Sequence, residues 1–487
     1  MSSIEPLVNL ARALGKSRKR LAPSPPAAHV LGHAPELGAD PLGALRRWMD
    51  GHGDIVRLRL GGSLAHVVFA PSLIGHVFQE NYANYSKGNR GYRELRLFMG
   101  DSVFTTHGDE WRRKRRVVQP AFEREPMAVW AGRMEAVIAA YEARWTGLAS
   151  QGAAVDVSAE MIGLTMRIMM EALFGGAIDD IEAATRAVTE FQHQWNRRVT
   201  AAMALPLACP TPANRRLQAA RADIDGALLR AMDRARRGAG GPDCMVSRLL
   251  AAAETEGGMD DHALRDEVAT LFLAGHESTS HALTWTWVLL AQHPEAAGRM
   301  RQEIQDALGE RRASAEGVQR LAYTRAVFEE SLRLYPPAWH IGRTPLVDDV
   351  IGGYFVPANT LVMVAPYATH RHPALWVDAD AFDPDRFLGA RRSQRPRYAY
   401  LPFGAGPRAC VGGRFATLEA LLVLAILGRR FTLELVPGQR IEPDPFVTLR
   451  PRHEVYMRVS DARATRDRAP TEAPAAWARD TPRGGAP

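Results

Sequence analysis

A chain of 487 residues, 46% hydrophobic and 24% charged, has an ordinary globular composition and can bury a core without disulfides or structural metals. Its formal charge of +7, from 61 basic and 54 acidic residues, is too modest to indicate nucleic acid as a partner. Three distant cysteines, Cys209, Cys244 and Cys410, speak against a disulfide framework or zinc knuckle and for a reducing compartment.

Ile4, Leu7, Val8, Ala11 and Leu14 recur at helical spacing, and Lys16, Arg18, Lys19 and Arg20 follow them. Residues 1–22 therefore read as a short amphipathic, basic segment that packs on the domain or rests weakly on an anionic membrane surface. No secretory signal is legible, and the longest apolar run, residues 420–428, is about half a bilayer crossing. The expected location is cytoplasmic, without a transmembrane segment. Residues 21–41, rich in Pro, Ala and Gly, form an extended entry. Residues 54–60 and 65–69 are apolar runs around Gly61-Gly62 and predict a hairpin. A mostly helical pattern runs from Trp111 to about His293, with breaks near Gly175-Gly176, Pro206 to Pro212 and Gly238 to Pro242. More helix ends at Pro336-Pro337, and short strands follow in residues 352–364 and 431–459. The pattern predicts a single large domain over residues 23–460, mainly α with small β-sheets and no internal repeat. Residues 461–487, poor in large apolar side chains, predict a disordered tail.

The strongest local signal is Phe403-Gly404-Ala405-Gly406-Pro407-Arg408-Ala409-Cys410-Val411-Gly412. Its early glycines permit tight turns, and Gly412 invites another surface to come close. Cys410 precedes an apolar helix over residues 415–427, whose free amides and dipole favour a thiolate. Cys209 and Cys244 lack such a setting and read as small buried hydrophobes. The string resembles the haem-binding signature of the cytochrome P450 family at every defining position, and the likeness extends from about Pro23 to Ser460.

That resemblance implies the fold of the family, haem b with Cys410 as axial ligand, and dioxygen as co-substrate. It places Phe403 and Gly404 against the cofactor. It also implies that Trp111, Arg115, Arg343 and Arg408, with His107 nearby, hold the haem propionates. Glu330-Ser331-Leu332-Arg333 and Arg386 in Phe382-Asp383-Pro384-Asp385-Arg386-Phe387 resemble a structural network that braces the cysteine loop. The other cations of the run Arg112-Arg113-Lys114-Arg115-Arg116 are a solvated face or a docking patch for an acidic electron donor.

Leu271-Phe272-Leu273-Ala274-Gly275-His276-Glu277-Ser278-Thr279-Ser280 interrupts an apolar helix with small and hydroxyl residues. Alone this reads as a core helix with back-bonded hydroxyls. It resembles the oxygen-binding motif of the family, in which Ala274 and Gly275 leave room for dioxygen. Glu277 would relay protons and the next hydroxyl would steer them. Ser278 departs from the usual Thr there, and Thr279 stands ready to take over part of its role.

The resemblance implies electrons from a ferredoxin or flavodoxin with an NAD(P)H-dependent reductase, and a hydrophobic small-molecule substrate that is hydroxylated or epoxidised. Substrate-contacting segments are expected at residues 90–104, 338–341 and 446–448, with Trp339 and His340 narrowing the pocket. Two rivals are a peroxygenase driven by hydrogen peroxide and a haem-thiolate sensor or electron carrier. The first tends to lack the acid–alcohol pair that Glu277 and Ser278 supply. An electron carrier needs no proton relay, and a sensor would bring an output domain.

Overall fold

A computed structural model of the protein describes residues 20–176, 181–201, 205–238, 240–255 and 258–462. The expected amphipathic segment lies outside the described residues except for Arg20 to Ala22. So does the expected tail, except for Asp461 and Ala462.

Among the described residues, α1 (Pro41–His52) follows a single-turn helix at Ala34–Ala39 and leads into the hairpin β1 (Ile55–Leu60) and β2 (Ser63–Val68), turned at Gly61 with φ +62°. After β3 (Tyr85–Ser86) come α2 (Arg90–Met99), α3 (Gly108–Val118), α4 (Arg124–Gln151), β4 (Ala154–Asp156) and α5 (Val157–Phe174). Then follow α6 (Ile181–Thr200), α7 (Pro212–Arg236), α8 (Met245–Thr255), α9 (Asp261–Gln292), α10 (Pro294–Leu308) and α11 (Ala322–Leu334). Strands β5 (Ile341–Pro345), β6 (Asp349–Ile351), β7 (Tyr354–Val356) and β8 (Leu361–Val364) precede α12 (Gly413–Arg430). The last strands are β9 (Phe431–Leu435), β10 (Pro443–Pro445), β11 (Leu449–Pro451) and β12 (Tyr456–Asp461).

Two helices carry the core. The Asp260 carboxylate accepts the Ala263 N–H and starts α9, whose 32 residues span about 48 Å. Most of its side chains are buried on every face, the mark of a helix inside a domain. α12 is likewise buried from Leu418 to Gly428, and both join one hydrophobic cluster with α4 and α5. The main sheet has the order β1-β2-β8-β5-β3, with β2 and β8 parallel and Ala65 opposite Leu361. A smaller sheet has the order β4-β12-β9. Among the described residues, no helix is long and apolar enough to cross a membrane. The expectation of a mainly helical domain with small sheets holds, as does the hairpin near residues 54–69.

Candidate functional site

Cys410 lies on a loop wound against the start of α12. The Gly404 N–H reaches the Leu401 carbonyl at 3.0 Å, and the Cys410 N–H closes on the Phe403 carbonyl at 2.9 Å. Gly404 and Gly406 adopt φ of +68° and +70°. A Cβ on Gly406 would fall 1.8 Å from the Phe78 carbonyl oxygen, so only glycine fits. The close approach expected at Gly412 is instead here, because the nearest atom to a Cβ on Gly412 is Phe122 Cε1 at an ordinary 3.7 Å. Gly412 has another task. Its amide and that of Gly413 donate toward the sulfur. Cys410 keeps exposed surface, yet protein atoms crowd its sulfur, and burial pushes the thiol pKa up. The Gly412 amide and the charges of Arg115 and Lys87 pull it down.

Around that sulfur gather more cations than the sequence suggested. Arg115 of α3 donates to the Ala409 carbonyl at 3.0 Å and to Gln119 at 2.9 Å, gripping the loop itself. Arg408 donates to the Thr106 carbonyl at 2.8 Å and lies over the Trp111 ring at 4.4 Å. Arg343, buried on β5, donates to the Gly342 carbonyl at 2.8 Å and stands over Phe78 at 4.9 Å. His107 sits exposed at the start of α3, where burial and the Arg408 charge depress its pKa. Sequence reasoning missed Lys87, since a lone lysine beside a two-residue strand carries no motif. Lys87 is buried, donates to the Phe104 carbonyl, and is held well below its ordinary pKa by burial and then by Arg343, Arg408 and Arg115. Burial and then Arg343 push Arg408 down to about 10, still protonated at neutrality. Among the described residues none of these four makes an ion pair with a carboxylate. Such mutual repulsion is what a dianionic porphyrin would relieve, so the residues fit haem.

The brace behind the loop forms as expected. Arg333 meets Glu330 at 2.6 and 2.7 Å, the Asp383 N–H donates to Glu330 at 2.9 Å, and Arg386 Nε lies 3.3 Å from it. The link onward is His370, which the sequence did not reveal. Its Nδ1 faces the Arg333 carbonyl at 3.2 Å and its Nε2 accepts the Leu401 N–H at 2.9 Å. Burial, and then Arg333, press its pKa down to about 3, so the ring is neutral and the proton sits on Nδ1.

At the centre of α9, Ala274 is exposed while Leu271, Phe272, Leu273 and His276 are buried, so this turn keeps one accessible face. Ser278, one turn on, shares that face and donates to the Ala274 carbonyl at 2.9 Å. Gly275 and Thr279 share the next face, and two expectations fail there. A Cβ on Gly275 would lie 2.0 Å from Met169 Cε of α5, so this glycine serves helix packing rather than room for dioxygen. Thr279 is buried and donates to the Gly275 carbonyl at 3.1 Å, on that same packed face, which leaves it unsuited to replace Ser278. Thr165 of α5 inserts its hydroxyl at the His276 carbonyl, 3.0 Å away.

Glu277 is held from outside α9. Thr448, between β10 and β11, donates to its Oε1 at 2.8 Å, and Gln192 of α6 donates to its Oε2. Burial raises its pKa to about 7 against the pull of Thr448, Arg450 and Gln192. A carboxyl poised near neutrality suits proton transfer.

Lys114 is buried, donates to the Asp101 carbonyl and lies 3.7 Å from Glu267, leaving Arg112, Arg113 and Arg116 as the exposed cations of α3. Trp339 does not narrow a pocket: it is buried in the core over α1, with Nε1 donating to the Phe446 carbonyl at 3.1 Å. Burial lowers the neighbouring His340 to about 4.

The family model described as Cytochrome P450 matches residues 22–457. Cyclooctatin synthase of Streptomyces melanosporofaciens is 37% identical over 430 residues, 86% of this chain and 91% of that protein. Cyclooctat-9-en-7-ol 5-monooxygenase of the same organism is 34% identical, covering 85% and 90%. Pentalenene oxygenase of Streptomyces avermitilis is 31% identical, covering 88% and 94%.

Proposed function

The chain belongs to the cytochrome P450 family, a haem-thiolate monooxygenase with Cys410 as iron ligand, and from that premise we propose that it hydroxylates a cyclic terpenoid using electrons from a separate donor. The observation that carries the monooxygenase reading at the level of the site is Glu277. A carboxyl raised to about 7, one turn from exposed Ala274, has no use in an electron carrier.

Bound haem supplies the activation of dioxygen and the transfer of one oxygen atom to the substrate. The chain does the rest. Lys87, Arg115, Arg343 and Arg408 would hold the propionates, with the Trp111 indole beneath Arg408. Glu277 supplies protons and Ser278 steers them, its hydroxyl leaving the Ala274 carbonyl to do so. Tyr92, Phe104 and Ile341, all half-buried, offer apolar and aromatic surface to a hydrocarbon substrate. Relatives named for cyclooctat-9-en-7-ol and pentalenene support a polycyclic hydrocarbon or alcohol of that kind. Exposed Arg112, Arg113 and Arg116, on the helix that grips the cysteine loop, suit an acidic ferredoxin or flavodoxin in the cytoplasm.

The test reconstitutes purified holoenzyme with a ferredoxin, its NADPH reductase and labelled dioxygen, offering pentalenene and cyclooctat-9-en-7-ol. One labelled oxygen per product is expected with either probe. Equal turnover with hydrogen peroxide alone would mark a peroxygenase, and no product with either probe would overturn the terpenoid reading.

A further inference from the structure

Glu277 belongs to a chain of hydrogen bonds whose other members play no part in the chemistry described above. Thr448 Oγ1 lies 2.8 Å from Glu277 Oε1 and 2.8 Å from His281 Nδ1. His281 is buried one turn along α9 from Glu277, with Nδ1 4.0 Å from Oε1. Two charged or titratable neighbours face the group, Arg450 acting on both Glu277 and His281, and His276 acting on His281.

The protons in this chain can be counted. Burial, and then Arg450, lower His281 to about 3, so at neutrality its ring is uncharged and carries one proton. A threonine hydroxyl has a single proton to donate. If that proton is given to Oε1, the Thr448 oxygen must accept from His281, and the ring proton must sit on Nδ1. Oε1 is then always an acceptor. The transferable proton of Glu277 is left to Oε2, where the Gln192 amide can offer N–H to the charged form or its carbonyl oxygen to the protonated one.

We propose that His281 and Thr448 are positioning residues for proton delivery, with His281 fixing the direction of the Thr448 hydroxyl and thereby confining the exchangeable proton of Glu277 to Oε2. The arrangement rests on Glu277 being the proton donor. It makes the turn between β10 and β11 part of the oxygen-activating apparatus as well as a wall of the substrate pocket.

Two spectroscopic readouts test this on the reduced, carbon monoxide-bound holoenzyme, which is diamagnetic. With nitrogen-15 histidine, the His281 resonances, identified by their loss in His281→Asn, should show Nδ1 protonated and Nε2 bare from about pH 5 to 9, on either side of the ordinary histidine value. In the infrared, the Glu277 carboxyl, identified by Glu277→Gln, should titrate about one unit higher in Thr448→Val, which removes a hydrogen bond to the charged form. Thr448→Ser should restore it. A ring protonated at Nε2, or a Glu277 titration unmoved by Thr448→Val, would overturn the assignment. The reading beneath it fails separately, if Glu277→Gln leaves the fraction of oxygen released as peroxide unchanged.

Discussion

Replacing Glu330 by Gln should cost the holoenzyme about 3–5 kcal/mol, because it leaves buried Arg333 without its anion and buried Arg386 with only Asp383, 3.9 Å away. Glu330 and Arg333 have no exposed surface and Arg386 has 5%, so solvent cannot take over the lost role. Glu330 accepts aligned hydrogen bonds from Arg333 Nε, Arg333 Nη2 and the Asp383 amide, and Arg386 Nε completes an ion pair at 3.3 Å. Neither arginine can swing out, since Arg333 is tied to the carbonyls of His370, Ala379 and Ala381, and Arg386 to those of Val377 and Asp378. A loss of that size is a large part of the roughly 5–15 kcal/mol that folded domains have. Urea unfolding, followed by the haem absorbance and by far-ultraviolet circular dichroism, should show the midpoint falling by about 0.5–1 M at unchanged slope. Glu329→Gln is the internal control, since its partner Arg392 is 51% exposed and such pairs contribute about 1 kcal/mol or less. If Glu330→Gln unfolds no more easily than Glu329→Gln, the brace does not stabilise the loop as argued.

Ser278→Ala should divert more oxygen to peroxide per substrate oxidised, whereas Thr279→Val should not, because Thr279 lies on the face packed against α5; equal effects in a peroxide assay would refute the distinction. A pH dependence follows from Glu267, which burial raises to about 7 from 4.5 against the Val103 amide and Lys114. Its native pKa lies above the unfolded one, so its contribution is fully present below about pH 4.5 and lost as pH rises through about 7. Relative to the native chain, Glu267→Gln should therefore gain stability between pH 5 and 8, by up to about 3 kcal/mol. Equal differences in unfolding midpoint at both pH values would disprove it.

Much of the fold was legible because its signals are local. The hairpin announced itself by apolar runs around Gly61-Gly62, and the site by an unbroken string from Phe403 to Gly412. Glu330, Arg333 and Arg386 were readable since each sits in a recognisable motif and their pairing needs only the fold to close. What escaped was decided by which way a side chain points. Lys114 and Arg113 are neighbours in a basic run, yet one is buried against Glu267 and the other faces solvent. Gly275 and Ala274 are both small, but a single step around α9 sends one toward Met169 and the other to the accessible face. His370, His281 and Lys87 matter through partners remote in sequence, and no spacing along the chain marks them.

The parallel pairing of β2 with β8 bears on how this protein is made. Ala65 meets Leu361 across about 300 residues, and the Tyr85 strand closes on Pro345 over a similar gap. Loops of that length are slow to close. During synthesis the first hairpin must therefore wait, with one β2 edge open, until most of the chain has emerged. Arg115 grips Ala409, and Gly406 seats on the Phe78 carbonyl, so the cysteine loop likewise needs early segments already in place. Capture of the cofactor is thereby deferred to the end of chain growth, and a chain cut short before Cys410 would hold every strand of the main sheet but lack α12, β9, β12 and the iron ligand.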